Sequence, residues 1–282
     1  MNYRAVLRLT RIEHSIMLVI AVLAAELLAG GLPSLPVLVL SLITPIFISM
    51  AAFAINDYFD FRVDKINKKN RPLVTGELKA LDAVYITLAS LIIGITASLL
   101  INFSAFVIAV VFGALAILYS YKLKGIAVVG NVYIAFSMAI PFIFGNYVVS
   151  QNIGAGIIMV SVMIFMSGLA REIHGTIRDL KGDSVARNLR TLPRIIGIEA
   201  SAALAFLIYL VAILISAYLF FFVSPFAYNL LYALMIGTTD LMLLYTGIGF
   251  MFRRDQKFYG LARNVSLAAM ALALVAILLV PL

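Results

Sequence analysis

Two runs of this sequence carry carboxylates at helical spacing. The first reads Asn56-Asp57-Tyr58-Phe59-Asp60-Phe61-Arg62-Val63-Asp64. At about 100° per residue, Asn56, Asp57, Asp60 and Asp64 fall within an arc of about 100° on a helix. The second comprises Glu172, Asp179 and Asp183, which share an arc of about 40° if one helix runs through them. Each run ends in an Asp-x-x-x-Asp pair, Asp60–Asp64 and Asp179–Asp183. An arginine stands seven residues beyond each pair, Arg71 and Arg190, and a proline follows, Pro72 and Pro193. Carboxylates crowded on one face repel each other unless a cation sits among them. Hard oxygens so placed suit Mg²⁺, which takes one or two carboxylates and completes its shell from substrate phosphates. Two facing stripes would hold two or more Mg²⁺ across a diphosphate. Arg71, Arg190 and Lys122 would add positive charge for the diphosphate as it leaves.

The elements that carry these stripes must be membrane helices. The chain has 282 residues, of which 64% are apolar and only 12% charged. A soluble domain has roughly 45–50% apolar and roughly 25% charged residues. This balance excludes a soluble enzyme, a disordered chain and a nucleic-acid-binding domain. About 180 apolar residues supply about nine spans at about 20 residues each. The apolar runs lie at about 14–31, 36–58, 80–101, 104–121, 126–149, 153–174, 195–223, 226–250 and 262–281. All 21 Lys and Arg fall on alternate connections, hence on one face. The positive-inside rule makes that face, and the N-terminus, cytoplasmic. The first span follows Arg4, Arg8 and Arg11 and reads as an uncleaved helix rather than a signal peptide. The acidic runs stand four spans apart, as expected of a duplicated four-helix half followed by a ninth helix. There is no Cys and there are two His, so neither a disulfide nor a His/Cys zinc site is expected.

Asn56-Asp57-x-x-Asp60-x-x-x-Asp64 together with Asp179-x-x-x-Asp183 resembles the paired signature of the UbiA superfamily of intramembrane prenyltransferases. The resemblance covers the whole chain, because the nine spans and the place of both motifs also fit. It implies an all-α polytopic membrane protein in which nine helices ring a central cavity, as a single domain over residues 1–282. It implies Mg²⁺-dependent transfer of a prenyl group from a polyprenyl diphosphate. Asn56, Asp60, Asp64, Asp179 and Asp183 are the implied metal ligands, with Asp57 a ligand or a residue behind them. Arg71, Lys122 and Arg190 neutralise the diphosphate, and Glu172 steers or deprotonates the acceptor. Tyr119 and Tyr121 are candidates to face an allylic cation.

Within the family, Asn70-Arg71-Pro72-Leu73-Val74-Thr75-Gly76, Arg171-Glu172-Ile173, Lys181-Gly182-Asp183 and Arg190-Thr191-Leu192-Pro193 look most like the archaeal digeranylgeranylglyceryl phosphate synthase branch. That branch implies a geranylgeranyl donor, a geranylgeranylglyceryl phosphate acceptor and formation of the second ether bond of archaeal lipids. A phosphorylated lipid would call for further basic residues, and Arg11, Lys124, Arg187 and Arg194 are available. The opening Arg11-Ile12-Glu13-His14 resembles instead the branch that prenylates 4-hydroxybenzoate, so an aromatic acceptor is the alternative. A secondary transporter is a remote third reading, because its acids would sit near the midplane. Glu26 and Asp240, inside spans, are expected to be structural, each protonated or hydrogen-bonded to a hydroxyl such as Thr238 or Tyr245. The partners expected are the two substrates and membrane lipids, with neither nucleic acid nor protein.

Overall fold

The computed structural model describes residues 2–67, 69–186 and 191–282, with backbone alone at 181–186. The described residues form helices and connecting turns, with no strand. In chain order the helices are α1 (Tyr3–Thr10), α2 (Ile12–Ala29), α3 (Leu35–Ile66), α4 (Pro72–Thr75), α5 (Ala80–Leu99) and α6 (Phe103–Tyr121). After a 3-10 turn at Leu123–Gly125 come α7 (Val129–Val149), α8 (Ala155–Ala186), α9 (Leu192–Ile196), α10 (Ile198–Phe222), α11 (Leu230–Phe252) and α12 (Gln256–Leu279). Nine of these are long and apolar enough to cross a membrane: α2, α3, α5, α6, α7, α8, α10, α11 and α12. They coincide with the nine apolar runs to within a few residues, except that α3 and α8 continue well beyond theirs and α12 begins six residues before its run.

The packing follows from having lipid as the outer solvent. Hydrocarbon tails are as apolar as Leu, so large apolar side chains gain little by turning inward. Ile92, Leu214 and Leu241 are accordingly about two-thirds exposed. The interior is built from small residues such as Ala24, Ala54, Ala202, Ala205 and Ser201, all fully buried. Small residues let backbones approach closely. At Gly145 of α7 an added Cβ would lie 2.7 Å from the Val22 carbonyl oxygen of α2, so only glycine fits there.

Neighbours in the sequence are neighbours in space. α2 packs on α3, α3 on α5 and α6, α6 on α7, α7 on α8, α8 on α10, α10 on α11 and α11 on α12. α12 returns to α2 and closes the ring, and α2 also packs against α7. α3 and α8 each have 32 residues. At 1.5 Å per residue such a helix is about 48 Å long, against a hydrocarbon layer of about 30 Å. One end of each therefore reaches past the layer, and those ends carry the two acidic stripes. Both are followed by a short helix with proline in its first turn, α4 and α9. Each short helix ends at a glycine of positive φ, Gly76 at 78° and Gly197 at 86°, before the next span. These matched units stand where a duplicated half would put them.

Candidate active site

The first stripe divides into two edges. Asp57 and Asp64 are seven residues apart, within about 20° of one line on the helix, whereas Asn56 and Asp60 lie on the neighbouring line. Along the second line, Lys124 Nζ donates to Asn56 Oδ1 at 3.0 Å and to Asp60 Oδ2. Asn56 Nδ2 also donates to Asp60 Oδ2 at 3.2 Å. Along the first line, Arg71 bonds Asp57 through Nη1 and pairs with Asp64 Oδ2 through Nε at 3.1 Å. Arg11 Nη2 donates to the same Asp57 oxygen at 2.7 Å, and Lys69 Nζ lies 3.1 Å from Asp64 Oδ1. Asp57, Asp60 and Asp64 are all buried. Buried carboxylates require this pairing, because an unpaired one would bear the full cost of desolvation.

The cations are held by local backbone geometry. Arg71 precedes Pro72 and is extended, with φ −118° and ψ 147°, which points its side chain back along α3. Arg11 has left-handed backbone angles and joins α1 to α2. Its guanidinium lies 4.8 Å from the Phe53 ring centroid. Burial lowers the Arg11 pKa from its ordinary value, and the charge of Asp57 opposes the shift. Lys124 sits in the 3-10 turn that follows α6.

Two chambers meet at this cluster. The larger has a volume of about 580 Å³ and runs among the helices. Its mouth holds Arg11, Asn56, Arg71, Lys124 and Arg171, and its depth is apolar, with Met17, Ile48, Phe112, Pro141 and Leu274. The smaller, about 410 Å³, lies beside the second stripe and includes Glu172, Asp179, Arg178 and Lys124. Tyr119, Lys124, Ile134 and Arg171 line both. Lys124 thus touches the first stripe and faces the chamber of the second. Arg171 Nη1 is 3.3 Å from Glu172 Oε1, and Arg178 donates to both oxygens of Asp179 at 2.6 and 2.7 Å.

Of the residues singled out in the sequence, Asn56, Arg71, Tyr119 and Arg11 line the larger chamber, and Glu172, Asp179 and again Tyr119 the smaller. Asp57, Asp60 and Asp64 stand behind the mouth and hold its cations. Lys122 does not come to the site: it caps α6 with its side chain exposed, and Lys124 reaches Asp60 instead. Tyr121 is 70% exposed and packs on Phe59, away from both chambers. Tyr119 stacks on Tyr133 at 4.5 Å between ring centroids. Arg194 lines neither chamber. Asp183 lies near the end of α8, where the backbone alone is described, and Arg187 and Arg190 lie outside the described residues. Asp240 lines the larger chamber and accepts from Ser216 Oγ at 2.7 Å, in place of Thr238 or Tyr245. Glu26 is fully buried away from both chambers. His174 of α8, 5% exposed, lies flat on Phe250 at 3.9 Å. The role of Arg171 as a lining residue of both chambers was missed in the sequence; its position one residue before Glu172 was the available signal.

Among the described residues no three His, Asp or Glu side chains converge on one metal position. Mg²⁺ does not require that, since one or two carboxylates plus phosphate oxygens suffice. The donor set fits: Asn56 Oδ1 and Asp60 Oδ2 already share one point charge, the Lys124 ammonium.

The comparisons with known proteins bear on the family and the fold. The family model described as the UbiA prenyltransferase family matches residues 17–258. A digeranylgeranylglyceryl phosphate synthase of Archaeoglobus fulgidus is 37% identical over 277 residues, covering 96% of this chain and 93% of its own. One of Sulfurisphaera tokodaii is 31% identical, covering 86% and 87%. A solved structure described as that of a digeranylgeranylglyceryl phosphate synthase in membranes superposes with a TM-score of 0.81 at 24% identity, over 99% of this chain and 98% of its own. A UbiA homologue from Archaeoglobus fulgidus bound to GPP and Mg²⁺ superposes at 0.67 and 19% identity, over 97% and 99%.

Proposed function

The chain belongs to the UbiA prenyltransferase family, and from that premise we propose that it moves a geranylgeranyl group from geranylgeranyl diphosphate to geranylgeranylglyceryl phosphate. The product carries the second ether bond of an archaeal-type membrane lipid. One observation carries this reading: a long apolar chamber whose mouth is ringed by Arg11, Arg71, Lys124, Arg171 and Asn56. That is the shape and charge of a prenyl diphosphate, a hydrocarbon tail ending in a polyanion. The 37% identity to a synthase of this activity, over nearly the whole chain, supports the acceptor.

Asn56, Asp60, Asp64 and Asp179, with Asp183, would hold Mg²⁺. Bound there, the ion would offset the negative charge that gathers on the diphosphate as it leaves. Arg71, Lys124 and Arg171 do the same from the protein side, as donors fixed before the reaction begins. Asp57 acts on Arg11 and Arg71, holding both guanidinium groups toward the mouth. The apolar wall keeps water from the allylic carbon, where positive charge develops as the C–O bond breaks and its electron pair leaves with the diphosphate. The acceptor hydroxyl oxygen then bonds to that carbon. Glu172, at the smaller chamber, takes its proton. Tyr119 lines both chambers and presents its ring to the developing cation.

The charged mouth lies on the cytoplasmic side in this proposal, because the 21 basic residues of the chain fall on alternate connections or on the helix ends beside them. The purified protein with Mg²⁺ and geranylgeranyl diphosphate is offered geranylgeranylglyceryl phosphate or 4-hydroxybenzoate. The expected product is the doubly prenylated glycerol phosphate. Product from the aromatic acid alone would reject the acceptor assignment and leave prenyl transfer standing.

A further inference from the structure

One ion network lies outside both chambers, and no step of the proposed reaction uses it. Arg8 of α1 donates through Nη1 to Glu77 Oε1 at 2.8 Å and to Oε2 at 3.1 Å. Its Nη2 donates to Asn70 Oδ1 at 3.1 Å and to the Asn70 carbonyl oxygen at 3.4 Å. Thr75 Oγ1 donates to the same Glu77 Oε1 at 2.8 Å. Asn70 stands two residues before α4 and Glu77 two residues after it, so one guanidinium holds both ends of that short helix.

The two segments joined by Arg8 each carry one arginine of the mouth. Arg11 ends α1, three residues from Arg8, and Arg71 opens α4, directly after Asn70. Both meet on Asp57 Oδ1. Two guanidinium groups on one oxygen repel each other, and each hangs on a long, flexible side chain. A carboxylate at their tips does not by itself fix where they point, so their backbones must be held too. α1 is seated on α3 and α4 by Ala5 and Leu9, fully buried in a cluster with Ala54, Leu73 and Leu78. Apolar burial is non-directional and does not set how α1 is turned against α4. The Arg8 bonds do. The Arg71 carbonyl accepts from the backbone N–H of Val74 and of Thr75, both at 2.9 Å, so Arg71 moves with α4.

We propose that Arg8 and Glu77 are positioning residues for the donor diphosphate: their pairing sets α1 against α4 and thereby aims Arg11 and Arg71 at the mouth of the larger chamber. Their role rests on the prenyl diphosphate donor proposed above and adds how its cations are placed. Both side chains are partly exposed, and pairs of that kind contribute little to stability, so loss of one spares the fold. Function is less tolerant, because a misplacement of about 1 Å far from the chemistry is already costly. The sign of the effect separates a brace from a simple electric field. Arg8→Ala removes a positive charge and Glu77→Ala a negative one. A field acting on the polyanion would weaken its binding in the first and strengthen it in the second. A broken brace weakens it in both.

The full-length protein in nanodiscs, with Mg²⁺ and without acceptor, is titrated with geranylgeranyl diphosphate and with the uncharged alcohol geranylgeraniol. Arg8→Ala and Glu77→Ala should each bind the diphosphate about fivefold or more weakly than the wild type. Binding of the alcohol should stay within about twofold in both, which a general loss of structure would not allow. The double variant should be about as weak as the weaker single one, since loss of either partner already breaks the pair. Arg4→Ala removes a positive charge from the same helix, where Arg4 bonds its neighbour Tyr3, and should stay within about twofold. Unchanged binding of the diphosphate in either Arg8→Ala or Glu77→Ala, or changes of opposite sign, would overturn the brace and leave the donor assignment standing. A wild type that binds the diphosphate no better than the alcohol would reject the donor assignment, and the brace with it.

Discussion

The two lysines after α6 show how a single residue's place decides its role. Lys122 and Lys124 are alike in composition and two positions apart, yet Lys124 alone reaches Asn56 and Asp60. The helix ends at Tyr121 and the chain tightens into a 3-10 turn, and it is Lys124 within that turn, in place of the Lys122 singled out in the sequence, that meets the stripe. Lys124→Ala should lower kcat about 100-fold or more, as loss of a preorganised charge at a developing anion does. Lys122→Ala should stay within about twofold under the same steady-state assay. Asp57 makes a different prediction, because it touches two arginines and neither chamber. Asp57→Asn keeps the shape and weakens the hold on Arg11 and Arg71. The KM for geranylgeranyl diphosphate should rise about tenfold, the size of losing one charge-assisted hydrogen bond. A change in kcat with KM intact would contradict a positioning role.

At the scale of the element, the long helices α3 and α8 were legible as acidic stripes but not as the divided surfaces they are. Periodicity places Asn56, Asp57, Asp60 and Asp64 on one face. Only the arrival of Arg71 from just ahead of α4 and Lys124 from the 3-10 turn separates Asp57 and Asp64 from Asn56 and Asp60. Those contacts span loops whose path depends on Pro72 and on the end of α6, and no helical period reports them. The nine spans were legible because lipid demands about 20 apolar residues from each. Which faces meet was not, since Ala, Ser and Gly at the interfaces leave almost no hydropathy signal. Gly145 is the sharpest case, with α2 backbone where its side chain would be. Gly145→Leu should separate α2 from α7 at a cost of about 1–3 kcal/mol, the usual range for overpacking, or more. A lower midpoint of thermal denaturation in detergent is the expected readout, and an unchanged midpoint would argue against this close approach.

For the whole molecule, charge does two tasks with the same residues. Of its basic residues, Arg11, Arg71 and Lys124 at the mouth of the larger chamber pair with the buried carboxylates and stand where the proposed substrate's polyanion would lie. The rest lie on the same connections or the helix ends beside them, and in the proposed orientation they keep that end cytoplasmic. A reporter that is active only outside the cell, fused after Leu282, should therefore be active, and one fused into the connection between α6 and α7 should be silent. The reverse pattern would place the charged mouth on the other side. The central claim is that the acidic stripe and the chamber beneath it cleave a prenyl diphosphate. Its most direct test is the release of diphosphate from labelled geranylgeranyl diphosphate in the presence of acceptor, with Mg²⁺ and then with a chelator, for the wild type and for Asp60→Ala. Release and prenyl transfer that require Mg²⁺ and fall at least about 100-fold in Asp60→Ala are the predicted result. Equal transfer with chelator present, or full activity in Asp60→Ala, would contradict the account.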